Sequence, residues 1–230
     1  MKLFEYKANK PRKPLKNLVI FLHGYNDCVE NHTAVFESLR ALLPHSYVVM
    51  PQSDEVCEKN PAQFQWFGMQ KYDPKDLRTK PEIDSRQINA IYYQTAPQID
   101  AKAKQINGFI DELQQKYGID NAHTYLIGFS QGAMLTLYSA LSRHTQIGGV
   151  FAIAGLIAGR KLLAKKISSL PPIYLFHGRD DLKVQFKTIH STVFWLKRHG
   201  LPTKVFTYAG LTHHVTKQEI AEICAVINNS

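Results

Sequence analysis

Residues 124–135 read Thr124-Tyr-Leu-Ile-Gly128-Phe-Ser130-Gln131-Gly132-Ala-Met-Leu135. An apolar, strand-forming run leads into Gly128-x-Ser130-x-Gly132, and a helical pattern starts directly after it. The stretch predicts a buried strand, a sharp turn and a helix. Glycines two positions before and after the serine keep that tight corner free of side chains, and the strained apex thrusts the serine hydroxyl out of the sheet. The following helix aims its positive end at the same point, which favours a developing oxyanion. In an isolated glycine-rich turn the serine would be inert. The strand before it and the helix after it make Ser130 a candidate nucleophile.

Outward from this corner the chain keeps alternating between short β-branched runs and longer helical patterns, the signature of a mainly parallel sheet covered by helices. Leu18–Leu22, Tyr47–Met50, Thr124–Ile127, Val150–Ala154, Ile173–Phe176 and Lys204–Tyr208 read as strands buried on both faces. Leu3–Tyr6 is a candidate edge strand. Val35, Phe36, Leu39, Leu42 and Leu43 predict one helix face, ended by Pro44. Ile99, Ala103, Ile106, Ile110, Leu113 and Tyr117 form one stripe of a long helix, with Pro97 in its first turn and Gly118 at its end. Later helices are expected over Gly132–Leu141, Phe186–His199 and Thr216–Asn228. Residues 52–84 break the rhythm. They are polar and interrupted by Pro61, Pro74 and Pro81, yet carry Phe64, Trp66, Phe67 and Tyr72. A loop of that length inside a compact domain is commonly functional, and it reads as an active-site insertion. Without repeats or a dividing linker, residues 1–230 are expected to form one domain.

A serine hydroxyl needs a base to accept its proton, and the base needs an orienting carboxylate. The strand ending at Phe176 runs into His177-Gly-Arg-Asp180-Asp181, and the one ending at Tyr208 runs into Ala209-Gly-Leu-Thr-His213-His214. Both follow strand C-termini, where ligands bind in open α/β sheets, and both come after the serine, in the order Ser, Asp, His. At this level Asp180 competes with Asp181, and His213 with His214.

The 230 residues are 44% apolar and 20% charged, the composition of a soluble globular chain long enough for a continuous core. No run approaches the ~20 apolar residues of a membrane-spanning helix. Residues 147–159 are too few for that and include four glycines. Charges interrupt the first seven residues, where a signal core would stand, and a cytoplasmic location is expected. Cys28, Cys57 and Cys224 are odd in number and widely spaced, which argues against a disulfide framework or a thiolate zinc site. No metal or organic cofactor is expected. The net charge of +9 gathers in residues 1–16 (Lys2, Lys7, Lys10, Arg12, Lys13, Lys16) and at Arg160, Lys161, Lys165 and Lys166. Without a nucleic-acid-binding motif this reads as a solvated basic surface, with at most weak association with anionic membranes.

Phe21-Leu-His23-Gly24, Gln65-Trp66-Phe67, Gly128-Phe-Ser-Gln-Gly132, His177-Gly-x-x-Asp181 and Gly210-x-x-His213 together resemble the phospholipase/carboxylesterase branch of the α/β hydrolases. That branch includes acyl-protein thioesterases, lysophospholipases and small carboxylesterases, and the resemblance runs from about Leu18 to the C-terminus. It implies a single-domain α/β-hydrolase fold. It implies Asp181 as the acid and His213 as the base, and backbone N–H groups of Tyr25 and Gln131 as the oxyanion hole. Three departures stand out. Asn26 replaces a glycine common in the oxyanion loop, a position asparagine tolerates because it accepts left-handed backbone angles. Gly68 follows Trp66-Phe67 where the family often has Asp. Tyr25 is bulkier than the usual leucine and would narrow the acyl entrance.

The expected activity is hydrolysis of short- to medium-chain carboxylic esters through a Ser130 acyl-enzyme. Phe64, Trp66 and Phe67, joined by Tyr25, are expected as an apolar wall for the acyl group or else as a small aromatic core beneath the long loop. Lysophospholipase or acyl-protein thioesterase activity is the alternative within the class. A non-catalytic binding protein on a hydrolase scaffold is the alternative outside it. Expected partners are small-molecule or lipid acyl esters or thioesters and no nucleic acid, with the chain a monomer or weak homodimer.

Overall fold

The computed structural model describes residues 4–230. Seven strands form the main sheet: β1 (Tyr6–Ala8), β2 (Asn17–Leu22), β3 (Ser46–Pro51), β6 (Thr124–Phe129), β7 (Gly149–Ile153), β8 (Ile173–Gly178) and β9 (Thr203–Tyr208). Their spatial order is β1-β3-β2-β6-β7-β8-β9. β1 pairs antiparallel with β3, and every other neighbouring pair is parallel. The C-terminal ends of the parallel strands therefore lie along one edge, and the residues that follow them converge there.

Alternation along β2 shows how the sheet divides the core. Leu18, Ile20 and Leu22 enter one apolar cluster, Val19 and Phe21 the other. Helices α1 (Thr33–Leu42) and α7 (Lys217–Asn228) contribute Phe36, Leu39, Ile220 and Ile223 to the second cluster. Five helices cover the opposite face, α2 (Ser85–Gln94), α3 (Ala96–Tyr117), α4 (Gln131–Leu141), α5 (Arg160–Ala164) and α6 (Lys187–Arg198), with Ile91, Ile106, Leu135, Leu163 and Leu196 among their core residues. Every residue of α4 is buried, because it lies between the sheet and α3. α7 opens on a capping box in which Thr216 and Glu219 bond reciprocally.

Several expectations need correction. The edge strand is Tyr6–Ala8 rather than Leu3–Tyr6; Leu3 and Lys2 lie outside the described residues. Leu42 is 44% exposed, because the helix ends there and the core contact passes to Leu43. Residues 52–84 are not one irregular loop: strands β4 (Glu55–Cys57) and β5 (Asn60–Gln65) pair antiparallel as a hairpin. α2, which the sequence reading left out, follows at once, with Asp84 and Gln87 forming its capping box. In the second basic group, Lys166 pairs with Asp100 and Lys161 lies over the Tyr93 ring, so two of its charges serve internal contacts. No helix among the described residues is long and apolar enough to cross a membrane.

Candidate active site

Ser130 stands between β6 and α4 at φ 54°, ψ −114°, the left-handed side of the backbone map, where a non-glycine residue is strained. The corner closes because nothing projects from its neighbours. A Cβ on Gly128 would come within 2.4 Å of the Gly132 carbonyl oxygen, and one on Gly132 within 2.3 Å of that of Leu22. Main-chain packing this close fixes the serine at the sheet edge.

His213, beyond β9, places Nε2 2.9 Å from Ser130 Oγ and Nδ1 2.7 Å from Asp181 Oδ2. Asp181, beyond β8, is buried, and its other oxygen accepts the backbone N–H groups of Lys183 at 2.8 Å and Val184 at 3.0 Å. Burial works against its charge, but His177 and His213 outweigh it and hold the carboxyl down at about 2. The carboxylate thus stays ionised and keeps the proton of His213 on Nδ1, leaving Nε2 to accept from the serine. Phe129 supports the imidazole from the side, with ring centroids 4.8 Å apart. His214 instead meets the Thr212 hydroxyl, and Asp180 is exposed.

The loop after β2 carries Tyr25 and Asn26, and Asn26 takes a left-handed φ of 55°. Asp27 organises this turn. Its carboxylate accepts the N–H groups of Gly24 at 3.0 Å and Cys28 at 2.8 Å, and meets His32 Nε2 at 2.7 Å. Burial disfavours its charge, yet His32, Asn31 and the Gly24 amide hold the carboxyl well below its usual range. His23 is buried and lowered to about 4 by desolvation, hence neutral; it donates from Nδ1 to the Gly24 carbonyl and accepts at Nε2 from the Ser53 N–H. Among the described residues, the amides of Tyr25 and Gln131 donate to no protein acceptor, and both residues line the cavity in front of Ser130.

The side chain of Gln131 has a separate task. Its Oε1 accepts the Trp66 N–H and its Nε2 donates to the Phe67 carbonyl, each at 2.7 Å, so it ties the Ser130 corner to the segment after β5. Gln131→Leu fills the same space but leaves two buried backbone groups unpaired. It is expected to lower unfolding stability by about 2–4 kcal/mol, read from urea denaturation; a change below about 0.5 kcal/mol would show that the clamp contributes little.

The expected apolar wall is rearranged. Trp66 is fully buried, donates from Nε1 to the His23 carbonyl and packs on Phe4 and His23, away from the cavity. Phe64 bridges to Asp27 and pairs with Val56 within the hairpin. Of the three aromatics only Phe67 lines the cavity, beside Met69, Tyr92, Met134 and Val184. Indole and main-chain polar groups drew Trp66 inward, where its hydrogen bond is satisfied. Gly68, where the family often has Asp, lies against the carboxylate of Glu58: a Cβ there would come 3.2 Å from Oε2. The hairpin therefore brings a carboxylate to this place from another part of the chain, and Glu58 Oε1 also accepts the Tyr25 hydroxyl at 3.2 Å. Glu58 and Arg78, the latter on the cavity wall, escaped the sequence reading, and neither offered a local signal.

The parallel sheet, the strained corner and the loops at its C-terminal edge define an α/β hydrolase. Residues 6–230 match the family model described as Phospholipase/Carboxylesterase, and the chain belongs to that family. It is 29% identical over 227 residues to acyl-protein thioesterase 1 of Candida albicans, covering 93% of this chain and 92% of the relative. To acyl-protein thioesterase 1 of Kluyveromyces lactis it is 24% identical over 241 residues, covering 100% and 99%. Among solved structures, esterase PE8 superposes with a TM-score of 0.84 at 24% identity, covering 99% of each chain. Arabidopsis thaliana SOBER1 gives 0.76 at 21% identity, covering 93% of this chain and 98% of that one. The chain is accordingly a serine hydrolase of the carboxylesterase or acyl-protein thioesterase type, acting on carboxylic esters.

Proposed function

We propose that the chain hydrolyses short- to medium-chain acyl esters through an acyl-enzyme on Ser130, as a single catalytic domain. The observation that supports this most is the relay of two short contacts, Ser130 Oγ to His213 Nε2 at 2.9 Å and His213 Nδ1 to Asp181 Oδ2 at 2.7 Å. His213 accepts the serine proton as Oγ attacks the carbonyl carbon. The oxyanion forms against the N–H groups of Tyr25 and Gln131, which have no other acceptor among the described residues. The intermediate collapses as His213 protonates the leaving alcohol or thiol. Water then attacks the acyl-enzyme by the same route and releases the acid, while Asp181 supports the imidazolium in each half. The cavity of about 300 Å³ before Ser130 favours a modest acyl group. The acyl-protein thioesterases among the relatives favour a thioester as the second reading. Three buried free cysteines support a reducing compartment.

The test is a series of p-nitrophenyl esters from acetate to palmitate, with the matching acyl thioesters in parallel. The expected kcat/KM peaks at or below about eight carbons, with a burst of p-nitrophenol equal to the enzyme concentration when deacylation is slow. A maximum at palmitate would replace the short-chain reading with a lipid or protein-lipid substrate.

A further inference from the structure

The cavity in front of Ser130 is lined by apolar Phe67, Met69, Met134 and Val184 and by the charged groups Lys59, Asp76, Arg78 and Lys183, of which the first three cluster through Asp76. The segment that brings Arg78 there is built around Asp73, a fully buried carboxylate. Asp73 accepts the N–H groups of Leu77 at 2.6 Å and Arg78 at 3.1 Å, and takes the Arg78 Nη1 at 2.7 Å. Asp76 meets the same Nη1 at 3.0 Å. Both carboxylates thus engage one nitrogen, and among the described residues Nε and Nη2 have no carboxylate partner. The Arg78 side chain is only 12% exposed, and the guanidinium carbon lies 5.9 Å over the ring of Tyr25, which lines the cavity with Ser130. The phenol of Tyr92, pushed up to about 12 by burial despite the neighbouring guanidinium, stands on the same wall.

We propose that Arg78 is a specificity-determining residue that selects esters carrying an oxyanion, a carboxylate or phosphate, within reach of the charged end of the cavity. This rests on the Ser130 esterase reading and names its substrate class. The carboxylates hold Nη1 and the Tyr92 phenol lies beside the guanidinium, which leaves Nε and Nη2 without a carboxylate among the described residues. Keeping a half-paired guanidinium on a substrate cavity costs desolvation that loop anchoring does not require. A planar edge of two N–H donors is the complement of a carboxylate or phosphate. Lys183 adds a second cation from the segment after Asp181, without a carboxylate partner among the described residues, whereas Lys59 is already paired with Asp76. Among the residues lining the cavity, the cations Lys59, Arg78 and Lys183 outnumber the one carboxylate, Asp76, with Asp73 buried behind Arg78 and Glu58 behind Tyr25.

Two matched pairs test this and separate the two sources of the anion. Monoethyl adipate against ethyl hexanoate places a carboxylate on the acyl side; 1-butyrylglycerol 3-phosphate against 1-butyrylglycerol places a phosphate on the alcohol side. Wild type is expected to show kcat/KM at least about tenfold higher for the anionic member of one pair, and that pair identifies the source. Arg78→Met should bring that ratio close to one, and Arg78→Lys should retain part of it. Arg78→Met also strips buried Asp73 of its cation and can disorder the segment. Competitive inhibition of the wild type by free adipate or glycerol 3-phosphate, weaker in Arg78→Lys, is therefore measured alongside. Ratios near one for both pairs without inhibition by either anion overturn the proposal and leave the esterase reading standing. A high ratio that survives in folded Arg78→Met also overturns it. Hydrolysis of no ester by the wild type removes both the proposal and the reading beneath it.

Discussion

Ser130→Ala is expected to lower kcat for a short p-nitrophenyl ester by a factor on the order of 10⁴–10⁶ while leaving the protein folded. Under the proposed mechanism the hydroxyl is the only atom that forms the covalent bond, so neither His213 nor the oxyanion amides can replace it. Their survival sets the remaining rate: donors that still polarise a bound carbonyl let water attack slowly, well above the uncatalysed reaction. Stability should change little. Alanine meets the same left-handed strain at φ 54° as serine, and the substitution deletes one hydrogen bond, 2.9 Å long, to His213. That bond is worth about 1 kcal/mol, so thermal midpoints should stay within a few degrees. The comparison needs single-turnover kinetics and a melting curve on the same samples. Turnover within tenfold of wild type would move the nucleophile elsewhere; a collapsed melting curve would show that the corner depends on the hydroxyl for folding.

Much of the scaffold was legible because its strands are buried on both faces. Leu18–Leu22 and Val150–Ala154 can hide so much apolar surface only inside a covered parallel sheet. The long helix was marked at both ends by Pro97 and Gly118, and the structure runs it from Ala96 to Tyr117. The hairpin of Glu55–Cys57 and Asn60–Gln65 was not legible, since its strands are short and polar and hold together through distant partners. Ser53 Oγ donates to the Gln65 carbonyl, Asp27 bridges to Phe64, and Gln131 grips the chain at Trp66 and Phe67. None of these is visible in a local window. The helix Ser85–Gln94 is a different case. Asp84 and Gln87 spell a capping box, and Ile88, Ile91 and Tyr92 a buried stripe, but the sequence reading ended its loop at Asp84 and assigned no element to the residues that follow.

The same division applies to the site. Ser130 announced itself through an obligatory local geometry, and the segments holding Asp181 and His213 follow strands whose ends had to share one edge. The choice between Asp180 and Asp181 needed the family resemblance, since both follow the same strand. The cavity wall had no such signature. Trp66 read equally as a substrate contact or as part of a small aromatic core beneath the loop, and its indole N–H, satisfied by a buried carbonyl, sets it in the core. Arg78 looked like any surface arginine, and what sets it in the wall is Asp73, five residues earlier in the chain and fully buried.

Asp181→Asn should reveal both roles of that carboxylate in one variant. Asparagine keeps an oxygen for the amides of Lys183 and Val184, so the loop can persist, but it can neither enforce Nδ1 protonation of His213 nor support the imidazolium. The expected loss in kcat is on the order of 10³–10⁴, with KM little changed, because the defect lies in proton transfer and not in the cavity. The stability effect carries its own sign. The folded carboxyl is held at about 2 against an ordinary 3.8, so ionisation favours the folded state. That contribution, about 2 kcal/mol, is fully present above the unfolded value and is lost as pH falls from about 4 through about 2. Urea unfolding of wild type and variant at several pH values should therefore show a gap of about that size at pH ~6, narrowing toward zero at pH ~2 as the wild-type carboxyl takes its proton. Asp27, depressed in the same direction by His32, titrates in both proteins and cancels from the difference. A gap that stayed constant across the acid range would mean that Asp181 stabilises the fold through its hydrogen bonds alone. The charge would then serve only the reaction.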